Sequence, residues 1–423
     1  MKRRNLIVAG IAGAFGAWWL RPSDRGANHQ PYFKGLGQAL DSAAQAKPTL
    51  VIDYQALQDN IATLLGHTQN RFAYRIVAKS LPSLPLLQTV MQASGSNRLM
   101  LFHQPFINQV AAKLPTADVL LGKPMPVTAA RNFYRQFKGG EFQPERQLKW
   151  LLDTPQRARQ YDALARELSS AMPVVIELDI GLHRGGVSTD EELLTMLDVI
   201  SASPFLQFRG FMGYEPHVTK APGNAENYRD KAMAEYRHYV DLARTTLADA
   251  WPDDVLLNAG GSPTYQMYNE GDYPFNELAA GSCLVMATDF DLPSLADHRP
   301  ASYIATPVLK SLDTLRIPGV DVGKLQTMWD PNRAQTFFTY GGYWKARPES
   351  PAGLKYNGLM GRSTNQEMLN GSKSIDLRAD DWVFLRPTQS EFVFLQFGDI
   401  AIYRDGKITE YWPVLGENLV DTA

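Results

Sequence analysis

The chain has 423 residues, a formal net charge of −2 and 20% charged residues. Near-neutral charge gives no sign of a nucleic-acid partner. A single cysteine, Cys283, excludes an intrachain disulfide framework and a cysteine-rich metal site.

The N-terminus departs from the rest. Lys2-Arg3-Arg4 precedes an uncharged run from Asn5 to Leu20, closed by Arg21-Pro22. A basic segment before a short apolar one reads as an export signal or signal anchor. Its length is marginal for a membrane span, and the arginine pair partly matches a twin-arginine signal. The expected location is the periplasm, free or membrane-anchored. Residues 21–47 are polar and read as a tether, so 1–47 form leader plus tether.

Thr49 to Asp53 reads as a short strand, and Leu57, Ile61 and Leu64 repeat at helical spacing. Strands are then expected at 71–79, 97–102, 118–122, 147–152, 173–179, 207–213, 254–258 and 277–286. Helical patterns fall between them, at 105–114, 126–138, 155–169, 189–201 and 224–248. Continuous apolar runs such as Pro173 to Leu178 suit parallel strands buried on both faces. The alternation predicts a (β/α)₈ barrel over 48–300, with a doubly wound sheet as the other arrangement. After residue 300 the rhythm turns to strands: Ser302–Leu309, Gln335–Tyr340, Trp382–Arg386, Glu391–Phe397, Ile400–Arg404, and, after Asp405-Gly406, Lys407–Trp412. Residues 301–423 are expected to form an all-β domain.

The chemistry collects at the expected strand ends, where barrel enzymes build their sites. The first strand delivers Lys79, stopped by Ser80-Leu81-Pro82. A lysine held there is a candidate nucleophile toward a carbonyl cofactor. After the seventh strand comes Gly260-Gly261-Ser262-Pro263-Thr264, and the eighth leads to Gly281-Ser282. Glycines admit close backbone approach, while Ser262 and Thr264 add hydroxyl donors, so these loops suit a phosphate. A phosphate site in register with a nucleophilic lysine points to pyridoxal phosphate. Cys283 reads as a small buried residue within the eighth strand, and His103 and His183 as structural.

These motifs, together with Asn60, Arg75-x-x-x-Lys79, Asp179-x-Gly181-x-x-Arg184-x-Gly186-Val187, Gly213-Tyr214-x-x-His217 and Glu277-Leu278-x-x-Gly281-Ser282, carry a family likeness. From about Thr49 to Val414 the chain resembles the fold-type III pyridoxal-phosphate enzymes. Within them it resembles the D-threonine aldolase and D-serine dehydratase group, which has an alanine-racemase-like barrel. It is most similar to proteins labelled amino-acid deaminase/aldolase, with Gly213-Tyr214-Glu215 and Gly341-Gly342-Tyr343-Trp344.

The resemblance implies an alanine-racemase-type barrel followed by a β domain, assembled as a homodimer. Lys79 forms the Schiff base, Arg184 contacts the pyridine ring or its phenolate oxygen, and Tyr214 lines the ring. Gly260, Gly261, Ser262, Gly281 and Ser282 hold the phosphate. His217 is the expected base at a substrate β-hydroxyl. The metal-binding pair of that group falls on Gln389 and Glu391, and its histidine after the arginine falls on Val77, so no metal site is expected. The implied activity is a lyase acting on a D-β-hydroxy-α-amino acid, by aldol cleavage or deamination. An amino-acid racemase, with Tyr340 or Tyr343 as second base, and a cofactor-binding envelope protein without catalysis are the other readings.

Overall fold

The computed structural model describes residues 21–68, 71–313 and 329–417. The expected export segment lies outside the described residues. Among those described, no helix is long and apolar enough to cross a membrane. The chain divides into two compact units. One comprises the chain up to Asp53, Ser302–Thr388 and Ile400–Tyr411; the other comprises Tyr54–Ala301, Gln389–Asp399 and the segment from Trp412.

The barrel unit contains a closed ring of eight strands. They are β2 (Ala73–Val77), β3 (Arg98–Leu101), β4 (Asp118–Leu121), β5 (Leu148–Leu152), β6 (Met172–Leu178), β7 (Leu206–Gly213), β8 (Leu256–Ala259) and β9 (Glu277–Ala280). Every pairing is parallel, and the ring closes where β2 meets β9, with Arg75 opposite Ala279. The helices fall where the apolar periodicity puts them, for example Gln104–Lys113, Pro155–Leu168 and Ala225–Leu247. Their starts are chemically marked. The Thr154 and Thr189 hydroxyls accept from the N–H groups of Arg157 and Glu192, at 3.2 Å each, satisfying donors that a first turn leaves open.

The β unit is a sheet in which β1 (Thr49–Asp53) lies between β10 (Ser302–Leu312) and the strand Asp399–Arg404. A domain boundary at residue 48 therefore misplaces this strand: it belongs with the β unit and not with the barrel. The tether reading of 21–47 is also corrected. Pro31–Ser42 is a helix, with proline at its first turn. Its Phe33, Leu36 and Leu40 are buried against Val51, Tyr303 and Phe384. The segment is polar overall, yet its few apolar residues share one helical face, and that is what docks it.

Two further differences bear on the site. The eighth expected strand stops at Ala280, and Ser282–Val285 is a helical turn, so Cys283 is buried in a turn and not mid-strand. Its thiol is pushed up to about 12 by burial, which makes it inert. The run Glu391–Phe397, expected as a strand, begins as a short helix, Ser390–Phe394. Short apolar runs do not separate helix from strand. Here Ser390, Val393 and Phe394 are buried while Phe392 is 71% exposed, which is helical spacing.

Candidate active site

Strand β2 ends at Val77, and Lys79 sits on a 3₁₀ turn, Ala78–Ser80, one step beyond it. The turn closes with Leu81 N–H donating to the Ala78 carbonyl. Lys79 thereby enters a pocket at the C-terminal end of the barrel strands. Arg184, Tyr214, Gly260, Gly261, Ser262, Gly281 and Ser282 line the same pocket. The structure thus brings together eight of the nine expected site residues.

His217 is the exception. Pro216 takes a helical backbone conformation, and the short helix His217–Lys220 carries the histidine away. It lines a separate cavity with Asp179, His183 and Tyr228. Burial, then His183, holds its pKa below the usual histidine value, although Asp179 opposes this. The expected base at the β-hydroxyl is therefore outside the Lys79 pocket.

The glycine loops are built by close approach. A Cβ at Gly281 would stand 2.6 Å from the Val77 carbonyl oxygen, and one at Gly261 would stand 2.8 Å from the Tyr214 ring. Glycine lets the ends of β9 and β8 close onto β2 and onto the β7 loop. The Ser262 hydroxyl oxygen accepts from Gly281 N–H at 3.2 Å and Cys283 N–H at 3.1 Å, which locks the two loops together. Ser80 and Ser282 share a hydrogen bond of 2.8 Å between their hydroxyls. Buried Asn60 supports the turn from behind, donating to the carbonyls of Leu284 at 2.9 Å and Arg299 at 2.8 Å.

Sequence reasoning missed the group that organises the β8 loop. Glu215 is fully buried and accepts from Gly260 N–H at 3.2 Å, the Thr264 hydroxyl at 2.7 Å and the Tyr268 hydroxyl at 2.9 Å. Burial raises its pKa in spite of those donors. Thr264, expected as a ligand donor, spends its hydroxyl on Glu215. The signal was present in Gly213-Tyr214-Glu215, but a carboxylate beside a tyrosine does not announce burial.

The donor set fits a phosphorylated cofactor. Among the described residues, the N–H groups of Gly261, Ser262 and Ser282 have no protein acceptor, and all three residues line the pocket. Ser262 accepts twice yet keeps its own proton to donate, so N–H and O–H donors gather on the wall formed by the β8 and β9 loops.

The other wall carries the ring-sized surface. The Arg184 guanidinium lies 5.2 Å from the centre of the Tyr214 ring. Arg184 makes no ion pair among the described residues, because Asp179 accepts instead from the N–H groups of Gly181 and His183 and from the His183 ring. The Tyr214 phenol is pushed up to about 12 by burial, with Glu215 adding to it, so it stays protonated at neutral pH.

The Lys79 amine has two partners. Its Nζ is 2.8 Å from Glu391 Oε1 and 4.8 Å from the centre of the Phe102 ring. Glu391 comes from the helix Ser390–Phe394, which belongs to the barrel unit although the strands on either side of it belong to the β unit. Among the described residues, no group of three or more metal-type side chains converges.

Residues 52–289 match the family described as alanine racemase, N-terminal domain. The chain belongs to that family. Its architecture, an eight-stranded parallel barrel with a separate β unit, is that of the fold-type III enzymes to which the motifs pointed. A curated relative, the 3-hydroxy-D-aspartate aldolase of Paracoccus denitrificans (strain Pd 1222), is 26% identical over 141 residues, which is 33% of this chain and 35% of that protein. The match spans about a third of that relative's length. Among solved structures, the D-threonine aldolase from Filomicrobium marinum aligns with a TM-score of 0.67 at 15% identity, covering 88% of this chain and 95% of that one. The D-threo-3-hydroxyaspartate dehydratase from Delftia sp. HT23 gives 0.65 at 18% identity, covering 88% and 97%. The alanine racemase from Bacillus anthracis gives 0.65 at 15%, covering 87% and 97%. At these identities the solved structures establish the fold of this family member.

Proposed function

We propose that this protein is a pyridoxal-phosphate-dependent lyase that cleaves or deaminates D-β-hydroxy-α-amino acids. The observation that carries the reading is Lys79, placed in one pocket with the donor-rich wall of Gly261, Ser262 and Ser282. Lys79 would hold the cofactor through its aldehyde, the β8 and β9 loops would hold its phosphate, and Tyr214 and Arg184 would contact its ring. Bound there, the cofactor would supply a place for the electron pair released from the substrate α-carbon.

The remaining work falls to the protein. Lys79 is the nitrogen base placed to move a proton at the α-carbon. Arg184, which makes no ion pair among the described residues, is available to an anionic group of the ligand. Tyr214, held as a neutral phenol, excludes water and donates a hydrogen bond but does not abstract a proton. Lyase is favoured over racemase because the relatives named as aldolases and a dehydratase act at β-hydroxylated substrates by their names, and because the pocket carries a carboxylate, Glu391, beside Lys79. The N-terminal basic and apolar pattern supports export as a companion proposal.

Protein supplied with pyridoxal phosphate should acquire the long-wavelength absorbance of lysine-bound cofactor, and borohydride should fix the label on Lys79. Incubation with D-threonine and D-serine should then yield glycine with aldehyde, or keto acid with ammonia. Label on a different lysine refutes the site. Enantiomer inversion without aldehyde or ammonia establishes the racemase instead, and cofactor binding with no turnover across a broad panel establishes the non-catalytic reading.

A further inference from the structure

We propose that Glu391 is the carboxylate that receives the substrate's β-hydroxyl and takes its proton during cleavage. This rests on the lyase reading above and names the group that reading lacks once His217 lies in another cavity.

The placement is the first argument. Among the described residues lining the Lys79 pocket Glu391 is the sole acid, and its carboxylate touches the very amine that the cofactor would engage. The side chains of the pair are 36% and 41% exposed, so neither charge is sealed into a permanent bridge. Half-exposed pairs hold together weakly and exchange partners readily. Among the described residues Lys79 is the only ion-pair partner of Glu391. Once the Lys79 nitrogen is committed elsewhere, the carboxylate is left facing the pocket with an open acceptor.

Elimination is the second argument. A base at the β-hydroxyl must reach it within hydrogen-bond distance. Of the other side chains lining the pocket, Lys79 is engaged by the cofactor and serves the α-carbon, Arg184 is always a cation, Asn258 and the serines are poor bases, and the Tyr214 phenol is too weak an acid to be ionised. Glu391 remains. Its helix interrupts the run between the strands Trp382–Pro387 and Asp399–Arg404, and it lies in the part of that stretch that joins the barrel unit.

The step balances without a further reactant. The hydroxyl proton passes to the Glu391 carboxylate, and the O–H electron pair becomes the second bond of the product aldehyde. The Cα–Cβ bond breaks, its electron pair stays with Cα, and a proton returned to Cα completes glycine. The same carboxylate sets the substrate class. An anion facing the β-substituent repels a second carboxylate there, so neutral D-β-hydroxy amino acids are favoured over β-hydroxyaspartate.

The test compares the full-length protein with its Glu391→Gln and Glu391→Asp variants. Binding is read from the cofactor spectrum with D-threonine and with O-methyl-D-threonine, and aldehyde release is read separately. The parent should favour the free hydroxyl by about tenfold, the worth of one good hydrogen bond to a charged group, and E391Q should lose that preference. Aldehyde release in E391Q should fall about 10²- to 10⁴-fold, the usual contribution of a positioned base. E391D should recover part of both. Cofactor loading on Lys79 should be unchanged in both variants. Aldehyde release in E391Q within about threefold of the parent, or a retained hydroxyl preference, overturns the assignment. Loss of cofactor loading in E391Q overturns it as well, because Glu391 would then only position Lys79. Failure of the parent to load cofactor defeats the functional reading itself, whereas a parent that loads, cleaves and shows no hydroxyl preference defeats only the role of Glu391.

Discussion

Two cations four residues apart, Arg75 within β2 and Lys79 just beyond it, have opposite fates. Arg75 is completely buried. Its guanidinium donates to Glu277 at 2.5 and 2.8 Å, to Asp118 Oδ1 at 2.7 Å, and to the carbonyls of Leu99 at 3.0 Å and Asp118 at 2.9 Å. Arg98 and Asn258 also donate to Glu277, and Lys149 pairs with Asp118. The result is a polar layer contributed by β2, β3, β4, β5, β8 and β9, with every charge answered. Lys79 has one carboxylate, one ring face and a half-exposed amine. Burying a charge demands full satisfaction, so Arg75 can do only one thing. Leaving a charge under-partnered at the mouth of the barrel is what makes it available for chemistry.

That contrast is breakable in three ways. The largest effect belongs to Arg75→Met, which strands the Glu277 and Asp118 carboxylates. Breaking a buried pair by removing one partner costs about 3–5 kcal/mol, so urea denaturation should show a loss of that order or no soluble protein. A loss below about 1 kcal/mol would mean that Arg98 and Lys149 suffice to hold the layer.

Glu177 on β6 is the intermediate case, a half-buried carboxyl without a side-chain hydrogen bond among the described residues. Burial, with a smaller push from Asp153, raises its pKa to about 7. A carboxyl whose folded pKa is raised costs nothing while it is protonated in both states, and its penalty grows as pH climbs from the unfolded value through the folded one. Glu177→Gln should therefore leave stability unchanged near pH 4 and raise it by roughly 2 kcal/mol at pH 8. Thermal melts at the two pH values check this, and an equal shift at both would show that the change acts through packing.

The smallest stability effect belongs to Lys79→Ala. A half-exposed ion pair contributes about 0–1 kcal/mol, so the melting temperature should barely move while covalent cofactor attachment disappears entirely. A large destabilisation would place Lys79 with Arg75, as a structural cation.

Much of the site was legible in the sequence because each of its parts is local. A lysine stopped by Pro82, a Gly-Gly-Ser loop and a Gly-Ser turn announce themselves through backbone chemistry, and the parallel strands through continuous apolar runs. Arg184 and Tyr214 were legible only through the family resemblance that their motifs carry. His217 was misplaced because spacing along a loop does not reveal which way the chain turns at Pro216. The helix Pro31–Ser42 was hidden because its apolar face is narrow within a polar segment.

What the sequence determined by itself was the barrel, its strand order and the lysine and glycine stations at the strand ends, since periodicity and turn residues act over a few positions. What only the tertiary structure decided was partnership. Glu215 became the buried acceptor behind Gly260, β1 joined the β unit, and Glu391 arrived beside Lys79 from 312 positions along the chain, a separation read from their numbers. No local propensity encodes such a meeting. It follows from the closure of the ring and from the segment Gln389–Asp399 packing with it, both of which depend on the whole core forming at once.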